Sequence, residues 1–297
     1  MPIATRVGTL QSQSFVVEQI MRGTARYVDL QSQITTGEKT QRFDGMPDDT
    51  AQTINLANSE AMLDQYIKSG NVTNSRLSGM SNSVATLLDV ATKFRAQLLQ
   101  AMTAEQADDG RIDVVADGAL QEIKGALNAD LGGVYLFGGT RNDTPPVDLS
   151  DPIANSNGTY YSGAAELMQA RIDGNTLLRM GTTADRQGFK DLIASVQRVS
   201  SGSASLSELE TALDDLNTAL DDLTQLQAEL GHQMKVVESA SARNDATKAT
   251  VETQLGSLRD VDIAAAMVQL TQRQTILQAS YAVISRSSDL TLMNYLR

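Results

Sequence analysis

The sequence predicts a mainly α protein. It reads as a long antiparallel coiled coil or helical bundle formed by the N- and C-terminal parts, with a small β-containing domain inserted at the tip. Three observations carry this. Aromatic residues are scarce in 297 residues (seven Tyr, five Phe, no Trp), so the rings that fill thick cores are few. Three of the five prolines fall between 145 and 152, which leaves 48–144 and 153–297 free to be helical over long distances. Apolar residues recur in both stretches at alternating steps of three and four, the spacing of a coiled-coil seam.

The clearest seam runs Leu206, Leu209, Leu213, Leu216, Leu220, Leu223, Gln227, Leu230, Met234 and Val237. After a polar interval at Ser241, Asn244 and Lys248 the phase resumes at Val251, Leu255 and Leu258. A matching seam holds Leu63, Ile67, Gly70, Asn74, Leu77, Ser81, Val84, Leu88, Ala91, Arg95, Leu98 and Met102, widened by Met80, Leu87 and Phe94. Pro47-Asp48-Asp49-Thr50 is a plausible entry to that helix, with acidic residues near its N-terminal dipole. Asp108-Asp109-Gly110 punctuates it, and Ile112 to Asn128 reads as a further short helix. Neither long helix buries its stripe alone, so the two are expected to pack against each other, antiparallel.

The termini form another pair. In front, Val16, Ile20, Gly23, Tyr27, Leu30 and Ile34 follow one seam, and Ile3, Val7, Leu10, Val17 and Met21 an adjoining one. At the back, Ile263, Met267, Leu270, Leu277, Tyr281 and Ile284 form one seam, and Ile276, Val283 and Leu290 trace a second. Two seams on one helix call for more neighbours than a single partner. Such a helix is marginal in water by itself. The candidate assembly interface is therefore Val16, Ile20, Tyr27, Leu30, Ile34, Ile263, Met267, Leu270, Leu277, Tyr281, Ile284 and Leu290.

Residues 132–190 change character. GGVYLFGGT (132–140) places an apolar burst between glycine pairs, as a tight strand or hairpin would, and Asp173-Gly174-Asn175 signals a turn. The expected organisation is paired terminal helices (1–45 and 251–297), a helical body (46–144 and 186–250) and a tip (145–185). The stretches 35–47 and 240–250 read as connections.

The composition excludes much chemistry. Without cysteine there is no disulfide, thiolate nucleophile or Cys-ligated metal, and one histidine makes no His-rich metal site. No cofactor or metal is expected, and no catalysis. Apolar runs are too short to span a bilayer, and the N-terminus lacks a signal-peptide pattern. Residues 1–34 and 255–297 each carry a net charge of +1, which leaves −14 on the rest of a chain of net charge −12. An acidic body without a basic stripe argues against nucleic acid.

Several residue clusters that could carry chemistry read more simply as surface or turn features. Asp214-Asp215 and Asp221-Asp222 lie off the seam and read as a solvated acidic face. His232 is out of phase with Leu230 and Met234, and a slender helix offers it no pocket. The glycine pairs 132–133 and 138–139 lack the rest of a phosphate loop. Asp173-Gly174-Asn175 is too short for a calcium loop. Tyr160-Tyr161 is the only aromatic doublet that could recognise a ligand.

These features together resemble the bacterial flagellin family. LQSQITTGEKTQRFDGMPDDTAQTINL (30–56) resembles the family's hand-over from the first terminal helix, and SRLSGMSNSVATLLDVATKFRAQLLQAM (75–102) its long body helix. RQTILQASYAVISRSSDLTLMNYLR (273–297) is similar to its C-terminal helix. GGVYLFGGT and the ending Leu-Met-Asn-Tyr-Leu-Arg look like the family's hook–filament junction (hook-associated) branch rather than filament flagellin. Residues 42–50, RFDGMPDDT, depart from the commoner Arg-x-Ser-Asp-Asp-Pro. The resemblance implies a structural subunit of the flagellum, extracellular and exported by a type III route without a cleavable signal. It would self-assemble into a helical ring or tube, with a hook-associated protein on the hook side, flagellin on the filament side, and an export chaperone. Filament flagellin, or a cell-surface coiled-coil binding protein of the family, are the alternatives.

Overall fold

A computed structural model describes residues 3–39, 50–103, 112–200 and 204–295, with side chains described over 14–39, 50–102, 112–200 and 204–286. Pro47-Asp48-Asp49 and Asp108-Asp109-Gly110 lie outside the described residues, as do the side chains of Ile3, Val7, Leu10 and Leu290. The protein is mainly α. The chain divides into two compact units, residues 61–248, and residues 1–60 with 249–297.

The larger unit is built on parts of two long helices, α2 (Thr50–Thr103) and α6 (Leu206–Arg259). They run antiparallel, since Lys248 pairs with Asp64 while Gln227 donates to Ser81 Oγ at 2.9 Å and Arg95 to Asn217 at 3.4 Å. The α6 start is fixed by a reciprocal cap, with Ser205 N–H donating to Glu208 Oε2 at 2.7 Å and Glu208 N–H to Ser205 Oγ at 3.4 Å. Leu77, Val84, Ala91 and Leu98 of α2 and Leu216, Leu223 and Leu230 of α6 are fully buried, on the expected seams.

The alternate seam positions differ from expectation. Asn74 and Arg95 are exposed and Ser81 and Leu88 only half-buried, while Thr73, Met80, Leu87 and Phe94 turn inward. On α6, Ala212 and Ala219 are fully buried, and Leu213 and Leu220 lie at the edge. The cause is a third and fourth layer. Helix α3 (Ile112–Leu127) buries Ala116, Ala119, Leu120, Ile123 and Leu127, and packs with α5 (Gln187–Ser200), whose Ser195 hydroxyl donates to the Ala212 carbonyl at 2.7 Å.

The expected connection at 240–250 is a correction, because α6 continues through it. Tertiary partners satisfy its polar residues: Asn244 Nδ2 donates to the Ile172 carbonyl at 2.8 Å and Lys248 pairs with Asp64. Gly70 leaves room for Ser241, whose Oγ would stand 2.7 Å from a Cβ there.

Among the described residues, the strands form two antiparallel hairpins. Strands β1 (Asp130–Leu131) and β2 (Val134–Tyr135) turn through Gly132 and Gly133, both in the left-handed region. Strands β3 (Gln169–Arg171) and β4 (Leu177–Arg179) pair Ala170 with Leu178. Between the hairpins, α4 (Pro152–Asn157) starts on an Asp151 cap and ends at Gly158, whose φ is 69°. Residues of 145–185 share one core with the helices, where Val147, Tyr160, Ile172 and Met180 are buried. Phe137, from the glycine-flanked burst, meets Phe189 of α5 edge-to-face with ring centroids 5.8 Å apart.

The acidic pairs on α6 are only partly a wet face. Asp214 and Asp221 are exposed, but Asp215, Asp222 and Glu229, at steps of seven, turn towards cationic partners. Arg186 donates to both Asp222 oxygens (2.8 and 3.1 Å) and to Glu229 (2.7 Å), and Arg198 to Asp215 (3.2 Å). A Cβ at Gly188 would lie 2.3 Å from Asp222 Oδ2, so only glycine admits this approach. The Arg186 guanidinium holds the Glu229 carboxyl below its ordinary pKa. A depressed carboxylate pKa contributes stability above the unfolded value, and that contribution is lost as pH falls through the folded one. Thermal melting of the protein is therefore expected to drop on acidification below about pH 4.3, and to drop less steeply in Arg186→Met. Equal slopes for the two proteins would remove this pair as a source of acid sensitivity.

Candidate assembly interface

The smaller unit pairs α1 (Ile3–Thr36) with α7 (Ile263–Tyr295). Gly23 faces Leu277 while Glu38 bridges Asp260, so the helices run antiparallel. Gly23 brings them close, since a Cβ there would sit 3.1 Å from Leu277 Cδ2.

The sequence-predicted residues divide into two groups. Leu30 is 5 % exposed, and Val16, Ile20, Tyr27, Ile34, Leu270, Leu277 and Ile284 are half-buried along the pairing line. Ile263, Met267 and Tyr281 are about half exposed, off that line, and Leu290 lies outside the described side chains. The inward place near Met267 is taken by Ala266, 3 % exposed, which the hydrophobic pattern missed. A step of four back from Leu270 reaches Ala266, but a small residue adds little to an apolar stripe.

A second stripe remains open on each helix. Val17, Met21 and Val28 lie at steps of four and seven on α1, with Met21 68 % exposed. Ile276 and Val283, a heptad apart on α7, are 46 % and 60 % exposed. Soluble monomers rarely expose contiguous apolar patches without a partner.

At one end the pair is fastened by a polar clasp. Helix α1 stops at Gly37, whose φ of 78° and N–H to the Gln33 carbonyl (2.8 Å) form a left-handed C-cap. The chain then lies along 259–261: Lys39 N–H donates to the Arg259 carbonyl at 2.7 Å, and Val261 N–H to the Gly37 carbonyl at 2.9 Å. Lys39 Nζ donates to the carbonyls of Ser257 and Leu258, at 3.0 and 2.9 Å, where a helix end favours a cation. Glu38 pairs with Arg259, and Asp262 caps α7 by accepting from Ala265 N–H at 3.0 Å. The sequence signal was present, a glycine following a helical run at 37, although the stretch reads simply as a connection.

The remaining candidates stay apart. His232 is exposed on α6. Tyr160 is buried, with its hydroxyl donating to the Ala184 carbonyl at 2.9 Å, and burial raises its pKa. Tyr161 donates to the Ala164 carbonyl at 2.7 Å, and burial pushes its pKa up to about 12. Both hydroxyls serve local structure. Asp173 Oδ1 accepts from Asn175 and Thr176 N–H at 2.8 and 2.7 Å, a turn closure between β3 and β4. Among the described residues, no three acidic, histidine or cysteine side chains gather as a metal site, and no helix is long and apolar enough to cross a membrane.

Comparison with known proteins agrees with this architecture. Residues 194–296 match the bacterial flagellin C-terminal helical region. The chain is 22 % identical to flagellar hook-associated protein 3 of Escherichia coli, over 95 % of this chain and 98 % of that protein. It is 21 % identical to the Salmonella typhimurium protein of the same name, with the same coverage of each. Its fold is similar to a flagellar hook-associated protein structure from Vibrio parahaemolyticus, at a TM-score of 0.60 and 15 % identity, covering 73 % of this chain and 100 % of that one. Bacillus cereus FlgL gives a TM-score of 0.56 at 15 % identity, covering 68 % and 98 %. With its paired terminal helices and acidic two-helix body, the chain is similar over 95 % of its length to hook-associated protein 3, and over residues 194–296 to the flagellin C-terminal helical region.

Proposed function

We propose that this chain is a structural subunit of the hook–filament junction, joining hook-side proteins to filament flagellin through its terminal helices. The observation that carries the reading is the open apolar stripe on α1 and α7, beside a pairing line that is itself only half-buried. Such helices gain stability when neighbouring subunits supply the missing contacts, which is folding coupled to association. Copies related by a heterologous contact continue helically instead of closing into a dimer. End-to-end similarity to two hook-associated proteins supports the junction assignment. In this reading the subunit works outside the cell, after export in the company of a chaperone.

The second reading is filament flagellin, favoured by the match of 194–296 to the flagellin C-terminal region. Immunogold labelling of intact cells separates the two. A short band at the hook–filament boundary is expected, with loss of filament attachment when the gene is deleted. Label along the whole filament would make the chain a filament subunit, and absence from flagella would overturn both readings.

A further inference from the structure

The terminal pair is unequally secured along its length. Close to the clasp, Leu30 and Ala266 are the well-buried residues of the pair, 5 % and 3 % exposed. Further out, Ile20, Leu277 and Ile284 are half-buried, and a cavity of about 270 Å³ opens between Arg22, Gly23, Arg26, Arg273 and Ile276. The polar bonds are concentrated in the same way. Two main-chain bonds, the Lys39 ammonium on two carbonyls and the Glu38–Arg259 pair all lie within 37–39 and 257–261.

Starting a helix is unfavourable and extending it is not. For α1 and α7 a further cost arises, since their inner ends are separated by more than two hundred residues of chain and must be brought together before they can pack. The clasp meets both costs at one place. It stops α1 at a fixed residue, neutralises the last carbonyls of α6, and sets the first turn of α7 beside them.

We propose that the 37–39/257–262 clasp is the seed from which the terminal pair orders. It closes first and fixes the antiparallel register of α1 on α7. The two helices then zip outward from it, their outer turns being completed as neighbouring copies arrive. This does not rest on the junction assignment, because it concerns the order of folding within one chain.

Gly37 provides the test. Nothing stands within 4 Å of a Cβ at this position, so a substitution there acts through the left-handed backbone alone. Alanine resists that conformation and asparagine tolerates it. Amide exchange would be followed on the full-length chain in dilute solution. In the unaltered protein, protection should be highest at 28–36 and 263–270 and fall towards 14–20 and 277–286. Gly37→Ala should speed exchange at 24–36 and 263–276 roughly tenfold, the factor for one residue forced into the left-handed region. Gly37→Asn should leave it near the original rate, and Lys39→Met should act like the alanine variant. Amides of 77–98 and 209–230 report whether the larger unit remains folded, and should be unchanged throughout. Protection rising towards the outer ends, uniformly fast exchange on both sides of the clasp, or equal rates in the alanine and asparagine variants would each overturn the proposal.

Discussion

Placing a carboxylate on the open stripe, in the triple variant Val17→Asp, Met21→Asp and Val28→Asp, is expected to abolish incorporation into flagella while leaving a folded monomer. The three side chains are 49 %, 68 % and 57 % exposed on a single chain, so charging them disturbs little of its own packing. If neighbours cover them in the assembly, each substitution removes the burial of a large apolar side chain, worth about 1.5–3 kcal/mol. It also leaves a carboxylate to be desolvated without a partner, which adds to the cost. Three such losses exceed about 4 kcal/mol, roughly a thousandfold in association. Far-ultraviolet dichroism should be unchanged, and electron microscopy should show hooks without attached filament in cells carrying only the variant. Removing residues 1–30 or 264–297 should give the same loss with a soluble helical remainder. Normal filaments built with the triple variant would show that this face stays in water, and the assembly mechanism would then have to lie elsewhere in the chain.

What could be read in advance follows from how strongly each feature marks the sequence. Leucine and valine repeats at three and four announced α2 and α6, because a large apolar side chain every turn has no other use in so polar a chain. The rotation of both helices about their axes was hidden. Ala212, Ala219 and Ala266 are buried for their smallness, and alanine on a helix surface is equally ordinary. The polar interval at Ser241, Asn244 and Lys248 suggested a break for the opposite reason. Each of those residues meets a partner far away in sequence, at Gly70, Ile172 and Asp64, that no local pattern announces. The same holds for Asp215 and Asp222, which look solvated until Arg198 and Arg186 are brought beside them. On the terminal helices the two-seam pattern was legible, because exposure leaves apolar residues as visible as burial does. The clasp was not, since charged residues near a glycine also describe any surface turn.

Phe189→Ala should be the most destabilising single change in the larger unit, costing about 3–5 kcal/mol. Phe189 is fully buried at the first turn of α5, in the core that α5 shares with the long helices, and its ring stands at 82° to that of Phe137. Truncation to alanine leaves a ring-sized cavity that cannot readily collapse. Arg186 is tied to Asp222 and Glu229 just before Phe189, and Ser195 is bonded to the Ala212 carbonyl just after it, so α5 is held from both sides. For a unit of this size the melting temperature should fall by roughly 2–4 °C per kcal/mol. Phe137→Ala should cost a similar amount. The double variant should cost less than the sum, the difference of about 1 kcal/mol measuring the edge-to-face contact. Phe189→Leu, which refills most of the space, should recover much of the loss. Strict additivity in urea denaturation would mean that the two rings act independently, each filling its own part of the core. A loss below about 1 kcal/mol for Phe189→Ala would mean that α5 shifts to close the gap, and that its ties to α6 are looser than their hydrogen bonds indicate.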